Sequence, residues 1–214
     1  MHYFISYLFL AYIICAIPFG VIFAKILGKN DLRKTGSGNI GATNAFRTGG
    51  KALGILTFLA DFFKGYFFVA AVPYFFPGGL QEILSSITAF TCVVAHIISY
   101  SIIPFLKHTL SYLLFLKKTN YKKMGGKGVA TAFGTLLAIN PILFGLAIGF
   151  WLLGFYITKT SGIAAMISFL MLSVVIIFFD NVNLLIKFYC FIIFIVIIST
   201  HLKNLKQYIS HKNN

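Results

Sequence analysis

Apolar residues come in seven runs, covering 3–27, 52–76, 81–103, 128–139, 141–158, 161–179 and 184–203. Most are close to the ~20 residues that a helix needs to cross a bilayer. The fourth run is not. From Val129 to Ile139 a helix rises only ~16 Å, against a hydrocarbon core of ~30 Å. Asn140-Pro141 then interrupts the pattern, because proline has no N–H and fixes its own φ. The pattern therefore predicts an all-α integral membrane protein of about seven transmembrane segments with a short or re-entrant fourth helix. If 128–158 is one broken element, five or six spans remain. No internal repeat stands out, and residues 1–214 read as a single polytopic membrane domain. The first run lacks the basic flank of a signal peptide and reads as a retained span.

Composition agrees. The chain is 59% hydrophobic and 10% charged, well below the ~25% charged of a soluble domain. Eighteen Lys and Arg face four Asp and Glu. In a soluble protein that excess would suggest nucleic acid; here it is assigned to membrane anchoring, and no nucleic-acid partner is expected. The basic residues also orient the chain. With the N-terminus outside, the inner segments 28–51, 104–127, 159–160 and 204–214 hold nearly all of them. The outer segments 77–80, 140 and 180–183 hold no Lys or Arg. This is the positive-inside pattern, N-terminus out and C-terminus in. Within the second inner segment, KHTLSYLLFLKKTNYKK is apolar in its middle with lysines at both ends, and could lie as an amphipathic helix on the inner surface. Cys15, Cys92 and Cys190 sit in apolar runs without C-x-x-C spacing, so they read as packing residues.

Three inner-side stretches carry candidate chemistry. GSGNIGATNAFR, Gly36 to Arg47, cannot build a core. Its glycines (Gly36, Gly38, Gly41) let backbone N–H groups approach an anion closely. Ser37, Asn39, Thr43 and Asn44 add neutral donors, and Arg47 adds a fork that grips phosphate. A flexible glycine-rich turn is the plainer alternative. MGGKGVAT places Gly125, Gly126 and Lys127 at the start of the short helix, where free N–H groups carry partial positive charge. The P-loop spacing is not met. In DFFKG, Asp61 and Lys64 stand three apart inside the second span and can pair on one face. His201 closes the last span, with Asn204 three residues on and so on the same face. His96 lies inside the third span, while His2, His108 and His211 read as peripheral. No cluster has metal-ligand spacing. Such a cationic, donor-rich pocket could stabilise charge developing on an acyl or phosphoryl group.

GSGNIGATNAFR, DFFKG, GGKGVAT and HLKN resemble, in this order, motifs of the bacterial glycerol-3-phosphate acyltransferases that use acyl phosphate as donor, the PlsY family. The resemblance spans roughly residues 8–206. It implies transfer of an acyl group from acyl phosphate to the 1-hydroxyl of sn-glycerol 3-phosphate, giving lysophosphatidic acid and phosphate for phospholipid biosynthesis. It implies no cofactor and no metal, and membrane lipid and the two substrates as partners. It leaves room for functional coupling to the enzyme that makes acyl phosphate. The location it implies is the bacterial inner (cytoplasmic) membrane, multi-pass, with the site facing the cytoplasm. By the same resemblance, Ser37, Asn39, Asn44 and Arg47, with Gly38 and Gly41, would hold phosphate and acyl-phosphate oxygens. Lys127, with Gly125 and Gly126, would hold the second phosphate. His201 would orient or deprotonate the hydroxyl, and Asn204 would position glycerol 3-phosphate. Asp61 and Lys64, by their own spacing, read either as a supporting ion pair that positions Arg47 or Lys127 or as direct substrate contacts. The sequence departs from the family at KMGGKG, at HIIS around His96, at an inserted inner loop over 104–124, and at the tail HLKNLKQYISHKN. An organic-phosphate transporter and an inactive family member are the alternative readings.

Overall fold

The structure, a computed structural model, describes residues 2–99 and 125–212. The expected inserted loop 104–124 and its amphipathic stretch lie outside them. The described residues form helices α1 (His2–Cys15), α2 (Phe19–Ile26), α3 (Ala42–Gly49), α4 (Lys51–Phe75), α5 (Gln81–Ile98), α6 (Val129–Ile139), α7 (Pro141–Thr158), α8 (Ser161–Val175, continued by a 3-10 turn Ile176–Phe178) and α9 (Leu184–Lys212). Five helices or helix runs are long and apolar enough to cross a bilayer, and α1 with α2 makes a sixth candidate.

The first run is not one helix. Pro18 breaks it, and α1 and α2 bend by 41°. The carbonyls exposed at the break find partners. Ser99 Oγ donates to Ala16 O at 3.0 Å, and Lys64 Nζ donates to Ile17 O at 3.0 Å. Irregular backbone at membrane depth needs this kind of burial in protein.

The second difference lies in segment 28–51, whose second half holds the helix α3. Gly41 precedes it and Gly50, at φ 90°, separates it from α4. A third is at the C-terminal end, where α9 runs on to Lys212 rather than stopping near 203.

Helix α6 is short, as its length requires, and it sits inside the bundle with residues 131–136 buried. Two glycines allow it to lie against α4. A Cβ on Gly134 would stand 2.0 Å from Phe62 O, and one on Gly65 would stand 2.7 Å from Thr131 O. Small residues at membrane helix contacts let backbones approach in this way. Phe133 and Leu136 then join Phe169, Leu172, Ile193 and Ile197 in one core. Asn140 starts α7 by accepting from Ile142 N at 2.9 Å and Leu143 N at 3.2 Å, with Pro141 in the first turn. The three cysteines are buried and form no disulfide. The result brings the starts of α3, α6 and α8 together with one turn of α9.

Candidate active site

The glycine-rich stretch is ordered by its own polar side chains. Asn44, on the first turn of α3 and buried, donates through Nδ2 toward Leu32 O (3.1 Å), Thr35 O (3.1 Å) and Asn39 O (2.8 Å). Its Oδ1 accepts from Ser37 N at 3.0 Å. Gly36 has φ 57°, and a Cβ there would meet Asn44 Oδ1 at 2.3 Å, so only glycine fits. Further back, Asp31 accepts from Arg33 N (3.0 Å), Nε (2.8 Å) and a terminal guanidinium nitrogen (2.6 Å). The Arg33 guanidinium holds the Asp31 carboxyl below its usual range. Asn39 Oδ1 accepts from Gly41 N at 2.9 Å, and Ser37 Oγ accepts from Asn39 N at 3.4 Å. These turns leave the Ser37 hydroxyl proton and the Asn39 amide hydrogens for a ligand.

Ser37, Asn39, Gly41, Asn44 and Arg47 line a cavity of about 940 Å³. Across it stand Lys127, His201 and Asn204. Lys127 Nζ donates to Asn204 Oδ1 at 2.5 Å, and Thr200 Oγ1 donates to Lys127 O at 3.2 Å. One turn of α9 thus holds both ends of the lysine. Burial pulls the Lys127 ammonium down from 10.5 to about 8. His201 Nδ1 lies 2.8 Å from Ile197 O. A carbonyl only accepts, so Nδ1 carries the proton and Nε2 keeps a lone pair. Space for both α9 side chains comes from Gly162, where a Cβ would meet Asn204 Nδ2 at 2.4 Å and His201 Cδ2 at 3.1 Å.

The first turns of α3, α6 and α8 all contribute to the lining, through Ala42, Val129 and Ser161. Helix starts carry partial positive charge, so three of them on one cavity favour an anion. The far wall is apolar, with Phe58, Phe133, Ile148 and Trp151. Trp151 stacks on Phe155 with ring centroids 5.4 Å apart.

The chain belongs to the glycerol-3-phosphate acyltransferase family. The family model described as glycerol-3-phosphate acyltransferase matches residues 5–211. A glycerol-3-phosphate acyltransferase of Pelagibacter ubique (strain HTCC1062) is 36% identical over 197 residues, which is 92% of this chain and 89% of that protein. One of Methylobacillus flagellatus is 40% identical over 157 residues, covering 73% and 68%. The fold matches a crystal structure of PlsY (YgiH), an integral membrane glycerol 3-phosphate acyltransferase, in its glycerol 3-phosphate form. The TM-score is 0.78 at 28% identity, over 97% of this chain and 92% of that one. The lysophosphatidic acid form matches with a TM-score of 0.76 at 26% identity, over the same shares. The chain is a multi-pass membrane glycerol-3-phosphate acyltransferase.

Within this acyltransferase not every residue expected at the site faces the cavity. Gly38, Gly125, Gly126 and Lys64 are not part of its lining. The N–H of Gly126 is engaged by His96 O at 3.1 Å. Lys64 forms the expected ion pair with Asp61 at 2.7 Å, beneath the cavity floor to which Asp61 and His96 contribute. Two features escaped the sequence reading. Ser161, at the start of α8, shares a hydrogen bond of 3.2 Å with Thr43. The Thr-Ser-Gly that follows Lys159 was the available signal, since such residues start helices. His96 joins the Asp61–Lys64 pair across 35 and 32 positions, a distance no local pattern reports.

Proposed function

We propose that the donor is acyl phosphate and the acceptor is the 1-hydroxyl of sn-glycerol 3-phosphate. The observation that carries this is the single cavity joining a cationic, donor-rich half to an aromatic half. Ser37, Asn39 and Arg47 hold the acyl phosphate, while Lys127 and Asn204 hold the phosphate of the acceptor. The apolar wall takes the acyl chain. Asn44 acts by ordering the loop, since its amide is spent on Leu32, Thr35 and Asn39 carbonyls.

His201 Nε2 receives the proton of the 1-hydroxyl as its oxygen attacks the acyl carbonyl carbon. The carbonyl carbon–phosphate oxygen bond breaks, and inorganic phosphate leaves with the electron pair. Ser37 and Arg47 stabilise the charge that develops on the oxygens. The acyl group is already activated, so Ser37 is a hydrogen-bonding residue and no covalent enzyme intermediate is formed. Both substrates carry phosphate, and the basic inner segments support a cytoplasm-facing site. The same charge distribution supports seven segments with α6 as the short one, N-terminus out and C-terminus in, and membership of the family supports the bacterial inner membrane as the location.

The test is turnover by purified Arg47→Ala and Lys127→Ala variants with acyl phosphate and glycerol 3-phosphate. Both should be crippled while remaining folded. Near-normal rates in both would sink this assignment.

A further inference from the structure

The Gly-Gly-Lys-Gly segment, 125–128, lies flat on the last turn of α5. A Cβ on Gly125 would stand 1.6 Å from Ile97 O, and one on Gly126 would stand 2.0 Å from His96 Nε2. Gly128, at φ 85°, would place a Cβ 3.0 Å from Ile97 Cδ1. The Gly126 N–H donates to His96 O at 3.1 Å. The segment is therefore seated on His96 by both backbone and ring.

The ring is itself held from below. Lys64 Nζ lies 2.9 Å from His96 Nδ1, 2.7 Å from Asp61 Oδ1 and 3.0 Å from Ile17 O. An ammonium only donates, so Nδ1 of His96 accepts and the ring proton sits on Nε2, the nitrogen against Gly126. Both charged side chains and the imidazole are buried, with relative exposures of 2% for Asp61, 5% for Lys64 and 4% for His96. Removing one partner of a buried ion pair leaves the other charge uncompensated, so these three groups hold one another in place. Here the arrangement fixed is one residue away from Lys127, whose own end is clamped by Asn204.

We infer that His96, held by the Asp61–Lys64 pair, is a positioning residue that seats Gly126 and so sets Lys127 for the phosphate of glycerol 3-phosphate. The role rests on the assignment of Lys127 to that phosphate. It gives the intramembrane ion pair a function without substrate contact by Lys64. It also explains why α5 and the glycine segment are joined although the chain between them is long.

The experiment uses the full-length purified protein. Glycerol 3-phosphate binding is measured by calorimetry, and KM for each substrate by turnover. His96→Asn keeps an acceptor for Lys64 but removes the ring edge under Gly126. Gly126→Ala drives a Cβ into that ring. Each should weaken glycerol 3-phosphate binding about fivefold or more and raise its KM in step, with KM for acyl phosphate held within about twofold. The double variant should be no worse than the worse single one, since both act through one seat. A loss of kcat alone, or equal changes in both KM values, would overturn the role, because a smaller folded fraction gives the first and general distortion the second. If His96→Asn fails to fold, Gly126→Ala carries the same reading. Lys127→Ala separates this inference from its premise. Unchanged glycerol 3-phosphate binding in Lys127→Ala overturns the site assignment. Weakened binding there, with normal binding in His96→Asn and Gly126→Ala, overturns only the role of His96.

Discussion

Lys127 Nζ donates to Asn204 Oδ1 at 2.5 Å, across 77 positions of sequence. The contact links the segment before α6 to the turn of α9 that carries Asn204, across the cavity. It also turns the Asn204 amide nitrogen toward Gly162, where a side chain would collide with it. Lys127 keeps its remaining N–H groups for a ligand.

A pH dependence follows from Lys127. Its ammonium is lowered by burial to about 8, so the charge is complete well below that value and is lost as pH rises through it. Attraction for the glycerol 3-phosphate anion should fall on the same limb. The expected outcome is a decline in kcat/KM for glycerol 3-phosphate above about pH 8, since kcat/KM reports the free enzyme. Lys127→Arg should flatten this limb, because arginine keeps its charge there, even where the absolute rate drops. A limb that stays in place in Lys127→Arg would assign it to another group.

Asn44 predicts a stability effect rather than a binding effect. Asn44→Ala strands the carbonyls of Leu32, Thr35 and Asn39 and the N–H of Ser37. Leaving buried groups unpaired costs about 1–3 kcal/mol each before water relieves some of them. Thermal unfolding in detergent should show a lower midpoint together with lost activity. Asn44→Asp should be as damaging, because a carboxylate has no hydrogen to donate to those carbonyls. An unshifted midpoint in both would contradict the loop-ordering role.

For His201, the Nδ1–Ile197 contact at 2.8 Å leaves Nε2 as the base. His201→Ala should lower kcat by about 10²–10⁴-fold, the range that one general base contributes, while glycerol 3-phosphate still binds. Rapid-quench measurement of the acyl-transfer step checks this. A kcat within a few-fold of the parent would shift proton removal to a phosphate oxygen of the substrate.

Gly134 tests the helix packing that carries the site. Gly134→Ala puts a methyl 2.0 Å from Phe62 O, a backbone atom that cannot swing away. Overpacking of this kind costs about 1–3 kcal/mol. The variant should unfold at lower temperature, whereas Gly145→Ala, with open space at its Cβ, should not.

Much of this was legible in the sequence because its causes are local. Hydropathy marks α4, α7 and most of α9, and Asn140-Pro141 marks the α6–α7 break. Ser37, Arg47, Lys127, His201 and Asn204, picked from separate stretches, meet in one cavity. Other features were hidden because their causes are not local. The run 3–27 stays apolar through Pro18, and the break survives because Ser99, just past α5, and Lys64 of α4 supply donors. ATNAFRTG reads as loop because two glycines flank a short polar helix, and α3 depends on Asn44 for its entry. His96 gains its meaning only when α4 and α5 lie side by side.

The central claim is that the cavity transfers an acyl group from acyl phosphate to glycerol 3-phosphate. Purified protein is supplied with labelled glycerol 3-phosphate and either acyl phosphate or acyl-CoA of the same chain length, and the product is resolved by chromatography. The predicted result is labelled lysophosphatidic acid with release of inorganic phosphate from acyl phosphate, and no product from acyl-CoA. Product formed from acyl-CoA alone, or no lysophosphatidic acid from either donor, would contradict it.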